Sequence, residues 1–206
     1  MNFYPMRFFH ITGCLALALG LSASVAPVAH AVDPARVLPN KQTKAGLYLD
    51  AREAYELKQK LGDKALFVDV RTRAEISYLG MPSVADAHIP AFEHPPNATW
   101  DDKSGRFKMD PNPDFEPELA RRLASRQLGK QDPVILICRS GDRTSRAVNF
   151  LTELGYSKVY TVVDGFEGDA IAEGPQAGQR VLNGWKNTGL PWTYKLDKDK
   201  MYLPRE

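Results

Sequence analysis

Pro133-Val134-Ile135-Leu136-Ile137-Cys138-Arg139-Ser140-Gly141-Asp142-Arg143-Thr144 is the stretch that decides the fold. Four apolar residues, Val134 to Ile137, run straight into Cys138. A polar loop of six residues, Cys138 to Arg143, follows, and a helical pattern begins after it. The order reads as strand, tight loop and helix N-terminus. A thiol placed there faces backbone N–H groups and the positive end of a helix, both of which favour its thiolate. The thiolate is the reactive form, so Cys138 is expected to attack an anionic substrate.

The flanks of this stretch repeat its grammar. Asp50-Ala51-Arg52-Glu53 resembles a capping box, and Ala54, Leu57 and Leu61 then recur at helical spacing up to Gly62. Ala65 to Val70 is an apolar run suited to a buried strand, followed by a short helix over Thr72 to Leu79 and a strand over Val84 to Ile89. Lys103-Ser104-Gly105 is expected to turn a small hairpin between Trp100 and Phe107. Leu119, Leu123 and Leu128 mark a helix ending at Gly129. Ala147, Phe150, Leu151 and Leu154 are expected to form the apolar face of the helix after the cysteine loop, and Val159 to Val163 the next strand. Asp169 to Gly178 reads as loop and Gln179 to Asn187 as a last helix, and Trp192, Tyr194 and Tyr202 in the tail are expected to pack on the body. Strands alternating with helices imply an α/β fold, a parallel sheet covered on both faces, with sites at the carboxyl ends of its strands.

The first 31 residues are expected to lie outside that fold. No Asp, Glu, Lys or Arg occurs between Ile11 and Ala29, Leu15 to Leu21 is an apolar centre, and Ala29-His30-Ala31 gives a small-x-small cleavage pattern. The expectation is a signal peptide over 1–31, a lead-in over 32–46, a domain over 47–192, a tail over 193–206, and a periplasmic location. Cys14 precedes the apolar centre instead of ending it, which argues against lipidation, and stable membrane insertion is not expected after processing. Removing Arg7 leaves 26 Lys and Arg against 25 Asp and Glu, which gives no case for nucleic acid. Cys14 would leave with the leader, so Cys138 is the one cysteine of the mature chain and no internal disulfide can form.

Four pieces in order resemble the rhodanese (sulfurtransferase) family: Phe67-Val68-Asp69-Val70-Arg71-Thr72, Ala87-His88-Ile89-Pro90, the loop Ile137 to Thr144, and Gly165-Phe166 with the later Gly184-Trp185 and Gly189-Leu190-Pro191. The chain departs from the family pattern at Gly80-Met81 and Asp164-Gly165, and 92–117 and 169–179 look inserted. The resemblance implies a rhodanese-like three-layer fold, a central mostly parallel sheet flanked by helices. It implies a thiosulfate sulfurtransferase, with Cys138 as the nucleophile that holds the transferred sulfur as a persulfide. It also implies that Asp69 orients the loop by pairing with Arg139.

The other loop residues are candidates for substrate binding. The amides from Arg139 to Thr144 can form an anion nest, with Gly141 permitting the backbone geometry. Arg143 can offer a guanidinium fork to a sulfonate. Asp142 faces solvent or pairs with Arg143. Ser140 and Thr144 either donate hydroxyls to substrate oxygens or bond locally at the helix start. Arg71 stands near the entrance or is a solvated surface residue, and His88 is structural. No cofactor or metal is called for. The expected small-molecule partners are thiosulfate as donor and a thiol or cyanide as acceptor, beside an unidentified periplasmic protein partner.

Three rivals are weaker. A phosphatase or arsenate reductase loop has its arginine six places after the cysteine, where this chain has Thr144. A mercaptopyruvate-type loop is less basic. A non-catalytic binding module or persulfide carrier has no need, in the first case, of an intact cysteine loop, and differs in the second only in its acceptor.

Overall fold

A computed structural model of the chain describes Met1 and residues 32–204. Apart from Met1, the expected leader, Cys14 included, lies outside the described residues. In chain order the strands are β1 (Tyr48–Leu49), β2 (Leu66–Asp69), β3 (Met81–Pro82), β4 (Ala87–His88), β5 (Phe92–Glu93), β6 (Trp100–Asp101), β7 (Arg106–Phe107), β8 (Asp110–Pro111), β9 (Val134–Ile137), β10 (Val159–Val162) and β11 (Trp192–Thr193). The α-helices are α1 (Ala51–Leu61), α2 (Arg73–Leu79), α3 (Phe115–Ala124) and α4 (Asp142–Glu153).

Five strands form a parallel sheet in the order β1-β10-β9-β2-β4. The pleat sends alternate residues to opposite faces. Phe67, Ile135 and Ile137 go to one face, where they pack with Ala54 and Leu57 of α1 and with Trp185. Leu66, Val68, Val134 and Leu136 go to the other, against Leu119 and Leu123 of α3 and Ala147, Val148 and Leu151 of α4. The result is the expected three-layer α/β arrangement. Cys138 continues the 134–136 alternation and so belongs to the α4 side of the sheet.

The local signals hold where they are self-contained. Asp50 and Glu53 close a full capping box on α1, and Thr72 and Glu75 do the same on α2. The hairpin forms with Trp100 opposite Phe107. Tyr202 is buried, its hydroxyl donating to Asp114 Oδ2 at 2.6 Å, and Trp192 pairs β11 with β3, whereas Tyr194 stays exposed.

Other expectations are corrected. No helix forms over 179–187, where the chain makes turns. Within it Gly184 takes a φ of 91°, which a right-handed helix cannot accommodate, and Gly178 and Gly189 flank the segment at 86° and 74°. Helix α3 stops at Ala124, short of Gly129, and Gln127 turns the chain at φ 59°. Phe150 is 47% exposed because α4 buries the stripe Ala147, Val148 and Leu151 instead, and Leu154 is exposed past the helix end. The strand expected over 84–89 pairs only at Ala87–His88.

Candidate active site

Asp69 and Ile137 are register partners at the ends of adjacent strands, so Asp69 and Cys138 lie at the same carboxyl edge of the sheet. The chain leaves β9 through Cys138 and enters α4 through Gly141, its N-cap residue. Gly141 sits at φ 91°, and a Cβ there would collide with the Val163 carbonyl. The N–H of Gly141 donates to Cys138 Sγ at 3.2 Å. Thr144 Oγ1 lies 3.8 Å from the same sulfur, donates to the Gly141 carbonyl at 2.9 Å and accepts from Thr161 Oγ1 at 2.6 Å. Thr144 is fully buried and serves the loop from beneath, the local role of the two open to it.

A second segment clamps the loop from outside. Phe166 N–H donates to the Cys138 carbonyl at 2.8 Å and Glu167 N–H to the Arg139 carbonyl at 3.0 Å. Gly165 allows this approach, since a Cβ on it would stand 2.5 Å from the Arg139 carbonyl carbon. Asp164, in place of a glycine, uses its carboxylate to hold Gly184 N–H at 2.9 Å.

The expected Asp69–Arg139 pair is not made. Asp69 instead holds Arg71, with Arg71 Nη2 at 2.6 Å from Oδ2 and Nε at 3.0 Å from Oδ1, both side chains fully buried. The strand turns straight after Asp69, and Arg71 folds back into the interior, where Nη2 also donates to the Gly80 carbonyl at 2.6 Å. Its guanidinium carbon lies 3.9 Å above the Phe166 ring. Arg71 is therefore neither an entrance residue nor a solvated one. The contacts from Asp69 run to Arg71, from Arg71 to the Phe166 ring, and from the Phe166 N–H to the Cys138 carbonyl. His88 is buried and bonded through Nε2 to the Arg71 carbonyl, and burial holds its pKa below the ordinary value.

Arg143 meets Glu75 in a two-pronged ion pair, with Nη1 at 2.6 Å and Nη2 at 2.5 Å from the carboxylate oxygens. The fork expected to face a sulfonate thus faces a carboxylate, and Arg143 contributes charge beside the sulfur more than a free fork. Asp142 bonds Asn40 and pairs with Arg146, not with Arg143. Ser140 is half-buried and its hydroxyl bonds no side chain or backbone group among the described residues. Arg139, also half-buried, has no ion pair among them. Cys138 itself is 1% exposed.

Sequence reasoning missed five contributors. Glu75 is separated from Arg143 by 68 positions, and its capping role masks the pairing. Arg180, the residue after the second inserted segment, is half-buried, and burial together with the charge of Arg139 holds its pKa below the ordinary value. Trp100, Arg106 and Phe107, from the first, line a cavity of about 420 Å³ together with Glu75, Arg139 and Arg143. No local signal in the sequence ties any of these to the cysteine. Among the described residues no His, Cys, Asp and Glu cluster is suited to a metal ion.

Burial by itself would raise the Glu75 pKa, but the Arg143 hydrogen bonds and charge, with the Thr72 N–H, lower it to about 2. A carboxylate with a depressed folded pKa stabilises the fold above its unfolded value and loses that contribution as pH falls through the folded one. Acid titration should therefore erode stability between about pH 4.5 and 2. Glu75→Gln should remove this part of the pH dependence, worth on the order of 3 kcal/mol at neutral pH. Urea unfolding of both proteins at pH 7 and pH 3 tests it: an equal stability difference at the two pH values would refute the assignment.

The site described is a thiol at a strand end, cradled by a backbone loop at a helix start, on a parallel α/β sheet. The rhodanese-like domain family model matches residues 53–171, more than half of the chain, and the chain belongs to that family. It is 30% identical over 132 residues to the Rickettsia rickettsii protein named as an uncharacterized RP600 homologue, covering 64% of this chain and 85% of that one. A shorter match, 41% identical over 44 residues, is to the thiosulfate sulfurtransferase GlpE of Tolumonas auensis, covering 21% of this chain and 42% of that protein. The crystal structure of Rv0390 from M. tuberculosis superposes with a TM-score of 0.53 at 31% identity, covering 72% of this chain and 97% of that one.

Proposed function

We propose that this protein is a sulfurtransferase that moves sulfane sulfur from thiosulfate to a thiophilic acceptor through a persulfide on Cys138. The observation that carries the reading is the Gly141 N–H donated to Cys138 Sγ at the start of α4. That donor and the positive end of the helix both stabilise negative charge on sulfur, whether thiolate or persulfide. The Arg143 guanidinium adds a cation, and Arg139, without an ion pair, is the group to meet a sulfonate.

In the first half-reaction the Cys138 thiolate attacks the outer sulfur of thiosulfate. The new Sγ–S bond forms as the sulfur–sulfur bond of thiosulfate breaks, and the electron pair leaves with sulfite. In the second, cyanide or a thiol attacks the outer sulfur of the persulfide, and the thiolate returns. The scheme requires ping-pong kinetics. Thiocyanate formation from thiosulfate and cyanide, with parallel double-reciprocal lines, is the expected result.

A non-catalytic binding module is the second reading, and the near-complete burial of Cys138 favours it. No thiocyanate, together with no sulfur gained by Cys138 from thiosulfate, would establish it over the enzyme. A periplasmic location and cleavage after Ala31 belong to the proposal as well, supported by the uncharged stretch ahead of Ala29-His30-Ala31. A periplasmic protein as the final sulfur acceptor is consistent with the same chemistry.

A further inference from the structure

The lead-in over 32–46 is fastened to the helix that follows the cysteine loop. Pro39–Lys41 forms a short 3₁₀ turn beside the first turn of α4. The Asn40 side chain donates to Asp142 Oδ1 at 3.3 Å, and the Ser145 hydroxyl donates to the Asn40 carbonyl at 3.1 Å. Further along α4, the Lys44 N–H donates to Asn149 Oδ1 at 2.8 Å. Between these ties Lys41 turns inward and is 6% exposed, which is rare for a lysine. Its ammonium donates to the Val163 carbonyl at 2.8 Å and to Asp169 Oδ1 at 2.5 Å.

Val163 is in direct contact with the cysteine loop. Strand β10 ends at Val162, so the Val163 carbonyl lies past the strand and takes its hydrogen bond from Lys41. The same carbonyl packs against Gly141, where an added Cβ would stand 2.3 Å from its oxygen. Gly165, in the same segment, lies against the Arg139–Ser140 backbone. A carbonyl beyond its ladder needs a donor, and a buried ammonium needs acceptors, so each fixes the other in place. The ion pair to half-buried Asp169 alone would hold Lys41 without holding the loop. The bond to Val163 connects the two.

We infer that Lys41 is a positioning residue for the cysteine loop: through the Val163 carbonyl it fixes Gly141, and with it the N–H that Gly141 donates to Cys138 Sγ. The effect on turnover rests on the reading of Cys138 as a sulfur-transferring nucleophile. The effect on Gly141 does not. The role asks of Lys41 a buried donor with the reach to meet Val163, and it places a residue of the lead-in among those that shape the site.

Amide hydrogen exchange, read residue by residue by NMR, tests it. Lys41→Met should speed exchange at Gly141 by about tenfold or more relative to Leu136 in β9, because a local opening frees only the amides it touches. Lys41→Arg keeps a donor of similar reach and should restore most of the protection. Asp169→Asn leaves the Val163 bond in place and should change exchange at Gly141 by less than about twofold. In the same proteins, kcat for thiocyanate formation should fall about tenfold in Lys41→Met and recover in Lys41→Arg. Should Lys41→Met fail to fold, Lys41→Gln, whose side chain is too short to reach the carbonyl, should show the same selective change. Exchange that rises equally at Gly141 and Leu136, that stays unchanged, or that responds as strongly to Asp169→Asn makes Lys41 an anchor of the lead-in only and overturns the inference. Selective exchange with kcat unchanged in an active enzyme overturns it as well. Absence of turnover in the wild-type protein overturns the sulfurtransferase reading, and the exchange result then decides the placement of Gly141 by itself.

Discussion

Cys138→Ser should abolish sulfur transfer, lowering turnover by more than about 10³-fold. A serine hydroxyl is not ionised at neutral pH and cannot hold a sulfur atom as a persulfide. The substitution is nearly isosteric, and the fold should tolerate it with a change of about 1 kcal/mol or less. Mass spectrometry makes the result specific. Wild-type protein given thiosulfate alone should gain about 32 Da on Cys138, one sulfur atom. The variant should gain nothing. Retained turnover in a folded Cys138→Ser protein would remove Cys138 from the reaction.

The largest stability effect is expected at Asp69. Its carboxylate accepts from the Arg71 backbone N–H at 3.1 Å and from the Arg71 side chain through Nε and Nη2. Asp69→Ala leaves that guanidinium fully buried, with Nη1 already lacking a partner among the described residues. Breaking one side of a buried pair costs about 3–5 kcal/mol. For a chain of this size that corresponds to a fall in Tm of about 10 °C. Arg139→Ala, by contrast, breaks no ion pair and should stay within about 0.5 kcal/mol of wild type. Thermal denaturation of the two variants separates the Asp69–Arg71 pairing from the Asp69–Arg139 pairing that family resemblance implies. Equal losses would restore the latter.

That reversal marks the limit of what the sequence discloses. The strand Val134–Ile137, the loop and α4 are written in contiguous residues, as are the Asp50–Glu53 capping box and the Trp100–Phe107 hairpin. Each depends on neighbours a few positions apart, so periodicity and turn chemistry reveal it. The partners of the charged groups do not follow from spacing. Asp69 has Arg71 two positions away and Arg139 seventy away, and only the inward turn of the chain after β2 decides between them. Glu75 meets Arg143 because α2 and α4 begin at the same edge of the sheet. The Gln179–Asn187 helix fails for a related reason. Gly184 is needed where its N–H meets buried Asp164, and that tertiary contact outweighs local propensity.

Gly165 lies against the Arg139–Ser140 backbone, and Gly141 directs its N–H to the sulfur. The hydrogen bond to that sulfur thus comes from a main-chain N–H, which no side-chain change deletes and any change of loop shape displaces. In a relative of this chain, an intact cysteine would therefore be poor testimony to a working site. The residue to inspect is the glycine on the opposite segment: with a larger side chain there, the thiol would survive in the sequence while the cradle around it could not close.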